Sequence, residues 1–463
     1  MERDPDRRSI LDSCRGACCR TGGAALDQLT SSRQVGVEPA AQASRLRALQ
    51  LMGILSGFSA GAWLGAAEAP TKLVKIGISP VIVSLLMVIG VFLARWSVPA
   101  LLRGTQQMRT DVRNAPHLVV WGVLAGCLWA VANTMTIFAI RDVGLSIAFP
   151  LWNANSLIGI LWGFVLFNEL RDAGRRSWVG ILAGAVLMFG GALLLARASS
   201  SQTSGRDWVH GIAAALAAGV LWGTMYIPYR KAYLTGMNPL SFVAFFTIGE
   251  LAMMSLLALV YSGGALPLWH EIAGAKDVLF WLMLGGFVWV IGDIFQQYAA
   301  KYVGISRGIP LSNTNQLWGL AWGILVFGEF RGRGASLYVE VIVGSLIMAG
   351  GAALIASCSV SRREHARWQE AAARESERYG IDRHYVEAGL SGREINATEG
   401  LGRRRWLDWT LISTATATFV VLALVARIPE LDFNRTAAIV LCAALLLALF
   451  IGGTALWKTT RFS

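Results

Sequence analysis

The chain has 463 residues, of which 55% are hydrophobic and only 15% are charged, and its formal net charge is +12. This composition excludes a soluble globular protein, which would aggregate with so much apolar surface. The 50 Gly and 18 Trp are typical of membrane helices that pack closely and are anchored at the lipid interfaces.

The first 45 residues are polar and rich in Arg, and they contain no apolar segment of signal-peptide length. We therefore predict a disordered cytoplasmic tail and no secretory signal. Cys14, Cys18 and Cys19 lie in this tail. Three cysteines without a nearby His fall short of the four ligands that a structural zinc site takes, so we expect no metal site.

Twelve apolar segments follow, each about the length of roughly 20 residues that a membrane helix needs. We predict an all-α polytopic membrane protein with ten transmembrane helices and a C-terminal two-helix hairpin. The predicted parts are a tail (1–45), a first five-helix repeat (46–200), a second five-helix repeat (205–358), a charged cytoplasmic linker with a helix (359–405) and the hairpin (406–463). The predicted spans are 47–67, 77–95, 117–139, 145–167, 177–196, 209–230, 239–261, 278–299, 305–327, 337–357, 407–426 and 437–457.

The ten-span part contains the same unit twice. Residues 143–171 match residues 303–331 at an offset of 160, and 14 of the 29 positions are identical. Because each copy has an odd number of spans, the second copy enters the membrane from the opposite side, which predicts a 5+5 inverted repeat. Such repeats are typical of secondary transporters, whose substrate site lies near the bilayer midplane between the two halves.

The orientation follows from the basic residues near the spans. Before the tenth span, 19 Lys and Arg lie on the side of the N-terminus and eight lie on the other side. This asymmetry predicts an inner or plasma membrane protein with both termini in the cytoplasm. The linker adds ten Arg to the same side, which explains the +12 charge without a nucleic-acid partner.

The sequence contains no recognisable catalytic His motif and no phosphate-binding loop. We therefore predict a protein that is not an enzyme and has no cofactor. Energy for active transport would have to come from an ion gradient.

Two carboxyl groups lie well away from the ends of predicted spans, where ionisable residues are costly and usually functional. Asp293 corresponds to Asn133 in the first half, and Glu250 corresponds to an apolar residue. Both are candidates for proton coupling or substrate binding. The alternative is a structural hydrogen bond.

A second polar set follows Pro150 and Pro310, where the missing backbone donor favours a helix break that only a protein-lined cavity tolerates. Neutral amides suit an uncharged, polyhydroxylated substrate, and aromatic rings four residues before the Asn133/Asp293 position can stack on a sugar. The predicted substrate-binding residues are Asn155, Asn315, Asn153, Asn313, Gln316, Trp129, Trp289 and Asn133. The alternatives are amides that hold neighbouring helices together and Trp residues that pack or anchor.

These motifs resemble those of a known group. The pattern comprises Gly126-Cys127-Leu128-Trp129-Ala130, Val143-Gly144-x-Ser146, Pro150 and Phe167-x-Glu169, and its second copy ends in Phe327-Gly328-Glu329. It resembles the drug/metabolite transporter superfamily and, within it, the glucose/ribose porter family of sugar uptake proteins, over about residues 50–357. The resemblance implies a ten-span fold and proton-coupled uptake of a monosaccharide. The chain departs from the pattern in its tail, linker and hairpin, and in Asn168 before Glu169.

We therefore expect a secondary active transporter of a small neutral polar metabolite, a monosaccharide, that works by alternating access. The expected partners are this sugar-like substrate, a proton or another coupling ion, and the lipid bilayer, and a homodimer stays open. One alternative is a drug/metabolite exporter of the same superfamily, which would need a larger apolar cavity. Another is a membrane scaffold or sensor that does not transport.

Overall fold

The computed structural model of the chain describes residues 44–67, 69–70, 78–143, 151–199, 208–328, 332, 334–358, 360–392, 404–427 and 433–462. The chain divides into two compact units, residues 1–51 and residues 52–463. In the first unit the described residues, 44–51, are helical. Cys14, Cys18 and Cys19, with nearly all of the predicted tail, lie outside the described residues.

Every regular element in the described part of the chain is a helix, which confirms the all-α prediction. The helices are α1 Ser44–Ala66, α2 Pro80–Leu102, α3 Gln106–Asn114, α4 His117–Val143, α5 Asn155–Phe167, α6 Arg175–Ser199, α7 Trp208–Leu234, α8 Pro239–Tyr261, α9 Ala265–Gly274, α10 Leu279–Val303, α11 Ile305–Ser312, α12 Asn315–Ala321, α13 Ala335–Ser357, α14 Arg362–Tyr379, α15 Arg383–Ser391, α16 Trp406–Val425 and α17 Arg435–Thr460.

Ten of the described helices are long and apolar enough to cross a membrane. They are α1, α2, α4, α6, α7, α8, α10, α13, α16 and α17. The protein is thus a multi-pass membrane protein.

The predicted spans 145–167 and 305–327 are not continuous long helices in the described residues. The helix α5 has 13 residues and begins only at Asn155. In the second half, α11 ends two residues after Pro310, and α12 begins at Asn315 and continues as a π-helical turn, Trp322–Val326. Broken helices at corresponding positions of two halves mark the substrate site in many transporters.

Contacts between the segments that connect the helices show which helix ends lie close to one another. At one end, Tyr385 of α15 hydrogen-bonds Asp111 of α3, the helix that follows α2. At the opposite end, Arg427 after α16 forms an ion pair with Asp277, which directly precedes α10. We call the first of these ends the linker end, because residues 361–392 contact it.

Glycines allow two helix pairs to approach closely. A Cβ atom on Gly126 of α4 would lie 2.0 Å from the carbonyl oxygen of Phe246 in α8. A Cβ atom on Gly286 of α10 would lie 2.0 Å from the carbonyl oxygen of Met87 in α2. Gly286 holds the position in the second copy that Gly126 holds in the first, 160 residues earlier. The α4–α8 contact and the α10–α2 contact are therefore equivalent, as expected for two related halves. The inverted relation between the halves stays a prediction.

The linker forms two helices, α14 and α15, rather than one. A capping box between Ser361 and Glu364 begins α14, and Gly380 with a φ of 63° ends it. The hairpin helices α16 and α17 bury only 11% and 22% of their most apolar windows. Most of the hairpin surface therefore faces lipid in a membrane.

Candidate functional site

Three charged side chains meet between the membrane-spanning helices, where the surrounding protein shields them from water. Arg95 of α2 donates from one guanidinium nitrogen to Glu250 of α8 at 2.6 Å and from the other to Asp293 of α10 at 2.7 Å. All three side chains are fully buried. We call these residues the Arg95 triad.

The triad lies near the middle of its helices. Glu250 is the midpoint of α8, Pro239–Tyr261. Arg95 lies seven residues before the end of α2 at Leu102, which is about 10 Å along the helix axis. A charged group at such a depth in the hydrocarbon is expensive unless it is paired.

Polar and aromatic groups complete the surroundings of the triad. Gln297 donates to the second oxygen of Asp293 at 2.8 Å, and Tyr233 donates its hydroxyl to Gln297. The Arg95 guanidinium lies 4.3 Å from the ring centroid of Phe246 and 5.0 Å from that of Trp289. Aromatic faces attract a desolvated cation, so these rings help to hold Arg95 in the membrane.

The charges of the triad do not balance. One guanidinium pairs with two carboxyl groups, so the triad carries one surplus negative charge when both carboxyls are ionised. A surplus charge in a site of low dielectric is costly, and one bound proton removes it. With one bound proton, the triad would be neutral.

The predicted role of Arg95 as a loop charge was wrong. The sequence pattern ended the second span at residue 95, but α2 continues to Leu102 and buries Arg95 completely. Arg230 and Arg307, which were also counted as loop charges, are buried in ion pairs. The sequence does indicate a longer helix, because residues 96–102 carry no charge and the span can continue beyond Arg95. Without these three residues the excess of basic residues still lies on the N-terminal side.

Amide and hydroxyl groups from the two halves meet at the broken helices. Asn313, in the turn between α11 and α12, donates to the hydroxyl of Ser156 at 2.5 Å and to the side-chain oxygen Oδ1 of Asn155 at 3.4 Å. Asn155 and Ser156 are buried at the start of α5. We call Asn155, Ser156 and Asn313 the amide cluster. It joins residues that are 157 and 158 positions apart in the sequence.

A small pocket lies beside the amide cluster. Its polar lining consists of Asn153, Ser156, Asn313 and Gln316, and side chains of α6 and α13 supply most of its apolar lining. The free space is about that of a single water molecule, so a sugar does not fit in this conformation.

Two adjacent glutamines of α10 contact the surroundings of the amide cluster and of the triad. Gln296 donates to the Ser312 hydroxyl at 2.7 Å, and Ser312 precedes Asn313 in the sequence. Gln297 donates to Asp293 of the triad. We call the amide cluster, the triad and these two glutamines the polar layer. Neither glutamine was predicted as a site residue, although both follow Asp293 within the same span.

The remaining predicted site residues occupy different places. Trp129 and Trp289 pack edge to face with ring centroids 5.5 Å apart, next to Arg95. Asn133 donates to Ser84 of α2 at 3.3 Å rather than to the triad. Asn315 does not line the pocket, and its buried side-chain oxygen has no hydrogen-bond partner among the described residues.

Glu169, which closes the first-half motif, joins the halves at the linker end. Its carboxylate forms an ion pair with Arg230 of α7 at 2.7 Å. It also accepts from the backbone N–H groups of Ile305 and Ser306 at 3.3 and 3.0 Å, the first turn of α11. A carboxylate at a helix N-terminus satisfies free N–H groups and interacts favourably with the helix dipole.

The described part of the chain holds no group of three or more His, Cys, Asp or Glu side chains arranged to bind a metal ion. Cys14, Cys18 and Cys19, for which the sequence predicts no metal site, lie outside that part.

Comparison with known proteins identifies the class of this membrane protein. The sugar transport protein family matches residues 105–265 and 215–375, which together make up more than half of the chain. The chain belongs to this family.

Individual relatives agree with the family. A protein of Listeria innocua, provisionally named a sugar uptake protein, is 27% identical over 233 residues, which are 50% of this chain and 76% of the relative. A provisionally named sugar uptake protein of Lactiplantibacillus plantarum is 26% identical over 51% of this chain and 79% of its own length. A Staphylococcus aureus protein, named a probable glucose uptake protein, is 22% identical over 50% of this chain and 76% of its own length.

We predict that Arg95→Met lowers the thermal midpoint of the detergent-purified protein strongly. The substitution leaves two carboxyl groups buried without a cation, and breaking a buried ion pair costs about 3–5 kcal/mol. The matched control is the triple variant Arg95→Met, Glu250→Leu, Asp293→Leu, which removes every charge of the triad. Because apolar replacement of a whole buried ion pair is often neutral, we expect the triple variant to unfold at a higher temperature than the single variant. A single variant as stable as the triple variant would show that the carboxyls do not depend on Arg95.

Proposed function

We propose that this protein is a secondary active carrier that takes up a monosaccharide together with a proton by alternating access. The observation that carries the proposal is the polar layer between the helices, in which Gln296 binds Ser312, next to Asn313 of the amide cluster, and Gln297 binds Asp293 of the Arg95 triad. One part of the layer can bind hydroxyl groups, and the other can bind a proton.

The amide cluster supports a sugar as the substrate. Amide and hydroxyl side chains both donate and accept hydrogen bonds, as a polyhydroxylated neutral molecule requires. The pocket beside the cluster combines Asn153, Asn313 and Gln316 with apolar walls, the usual composition of a small-molecule site. Trp129 and Trp289 offer rings near the triad. The names of the relatives, which refer to sugar or glucose uptake, point in the same direction.

The unbalanced charge of the triad supports a proton as the coupling ion. The resting state with one proton shared by Glu250 and Asp293 is neutral together with Arg95. Release of that proton creates a buried negative charge, which is costly. A conformational change that exposes the triad to water lowers the energy of the deprotonated state.

Broken helices and closed packing support alternating access. The pocket is too small for a sugar in this conformation, so the helices around it must separate to admit one. The equivalent glycine contacts of the α4–α8 and α10–α2 pairs provide two related bodies that can move against each other. We place the linker end in the cytoplasm of an inner or plasma membrane, since the basic residues concentrate there.

The amide lining favours a sugar over an amphipathic drug, which would need a larger apolar cavity. Uptake of labelled monosaccharides, with D-glucose and D-ribose first, into proteoliposomes under an inward pH gradient tests the proposal. Accumulation of a sugar above its outside concentration is the expected result. Export of amphipathic compounds, or no transport at all, would favour the exporter or the scaffold.

We predict that Asn155→Ala and Asn313→Ala raise the half-saturation concentration for the transported sugar by about ten- to a hundredfold. Each removes a polar group from a desolvated site, and one lost hydrogen bond costs about 1–3 kcal/mol there. Asn114→Ala is the control, because Asn114 bonds only the carbonyl of Thr110 in its own short helix, α3. If the two site variants instead fail to give folded protein, the amides serve to hold the helices together.

We predict that Asp293→Asn abolishes accumulation while sugar exchange across the membrane continues. The amide cannot exchange a proton, and its loss of charge leaves Arg95 and Glu250 as a neutral pair, so the variant should fold. Asp277→Asn, which changes a half-buried carboxyl at the end of the helices opposite to the linker end, is the control. Accumulation by the Asp293 variant under an imposed pH gradient would exclude Asp293 as the coupling site.

A further inference from the structure

The linker helix α14 supplies a buried charge to the membrane-spanning core. Glu364 is fully buried and forms a two-pronged ion pair with Arg307 of α11, at 2.9 and 3.1 Å. The same carboxylate accepts from the backbone N–H of Leu170 at 3.0 Å. Among the described residues, Glu364 is the carboxylate that balances Arg307, so the core is incomplete without the linker.

A second contact joins α14 to the Glu169 ion pair. The Trp368 ring lies 4.0 Å below the Arg230 guanidinium, which Glu169 also binds. Glu169 in turn holds the first turn of α11 through Ile305 and Ser306. The linker therefore contacts the same cluster that joins α7 to α11.

The linker bridges the two halves of the core. On the first half, Ser361 and Arg367 bind the backbone and the carboxylate of Asp172, after α5. On the second half, Lys231 of α7 forms an ion pair with Glu375 at 3.3 Å. One helix thus holds residues of both halves at their linker end.

The short helix α15 extends this bridge. Its Tyr385 donates to Asp111 at 2.7 Å, and the backbone N–H of Asn238, before α8, donates to the other oxygen of Asp111 at 3.3 Å. Asp111 and Tyr385 are both buried, which keeps water from this contact, and this burial raises the pKa of both groups. Helix α15 therefore covers the segments that precede α4 and α8.

The interface between the linker and the core is mixed. Besides its ion pairs and hydrogen bonds, it buries Trp368 against Leu234, and Ile381 and Val386 belong to an apolar cluster of the core. When the interface opens, the separated charges regain hydration and the apolar part loses its burial energy.

We propose that α14 and α15 form the cytoplasmic gate of the carrier, which holds the two halves together at the linker end and detaches from the second half when the site opens to the cytoplasm. This inference rests on the alternating access of the proposed function. Glu364 acts as a positioning residue in the gate, because it holds Arg307 and Leu170 and does not touch the pocket.

Cys358 provides a native reporter of the gate. It is buried directly after α13, and its backbone carbonyl accepts from Arg307 at 3.0 Å. In a protein whose other cysteines are replaced by Ser or Ala, a membrane-impermeant maleimide added to inside-out vesicles labels Cys358 only when the linker end opens.

The first experiment compares Glu364→Gln with Glu370→Gln in this single-cysteine protein. Glu370 lies on the same helix with an exposed side chain, so the control removes the same charge without a buried partner. Loss of charge-assisted bonds to Arg307 should raise the Cys358 labelling rate about ten- to a hundredfold, and the control should leave it unchanged. Equal labelling rates in the two variants would overturn the gate.

The second experiment closes the gate chemically and does not depend on the folding of the Glu364 variant. Lys231→Cys and Glu375→Cys, in a protein with no other cysteine, are linked by a bifunctional thiol reagent that spans this ion pair. We expect the linked protein to bind D-glucose from the outside but to lose transport, while each single-cysteine variant treated with the reagent keeps both. Full transport by the linked protein would overturn the gate. If the unlinked protein carries no sugar, the proposed function fails, and the Cys358 labelling contrast still decides the gate.

Discussion

The ion pairing of one arginine with two carboxyl groups in the middle of the membrane constrains the rest of this structure. Arg95 can stay at this depth only because α8 and α10 bring Glu250 and Asp293 to its two nitrogens. That arrangement requires α2 to pack tightly on both helices, and the close approach at Gly286 permits it on the α10 side. It also leaves one charge unbalanced when both carboxyl groups are ionised, which a pair of one cation and one anion does not.

The polar layer and the linker end are connected through the broken helix of the second half. The turn that presents Asn313 to the pocket ends α11, whose first turn Glu169 holds. Arg307 in the same short helix is fixed by Glu364 of the linker. In the proposed gate, a movement of the linker would reach the pocket through this helix of eight residues. The transport core of the proposed carrier and its charged linker work as one mechanical unit in this account.

The sequence was sufficient for the class of protein and for part of the site. Apolar length predicted the membrane helices, and the rule that buried charges are costly identified Asp293 and Glu250. The cation between them was missed, because a single Arg near a predicted span end is indistinguishable from a loop charge until the helix end is known. Pairings such as Asn155 with Asn313, or Arg307 with Glu364, join residues 158 and 57 positions apart, and neither periodicity nor composition specifies such contacts. Asn315 shows the converse, since its place in the repeat suggested a pocket residue and the structure puts it outside the pocket.

We propose that the Arg95 triad carries one proton together with each sugar molecule. Proteoliposomes loaded with labelled sugar, held at fixed membrane potential and a series of pH gradients, give the gradient at which net sugar flux is zero. We expect this null point to lie where the proton electrochemical gradient balances the sugar gradient at a ratio of one proton per sugar. A null point that does not move with pH, or one that requires two protons per sugar, would contradict it.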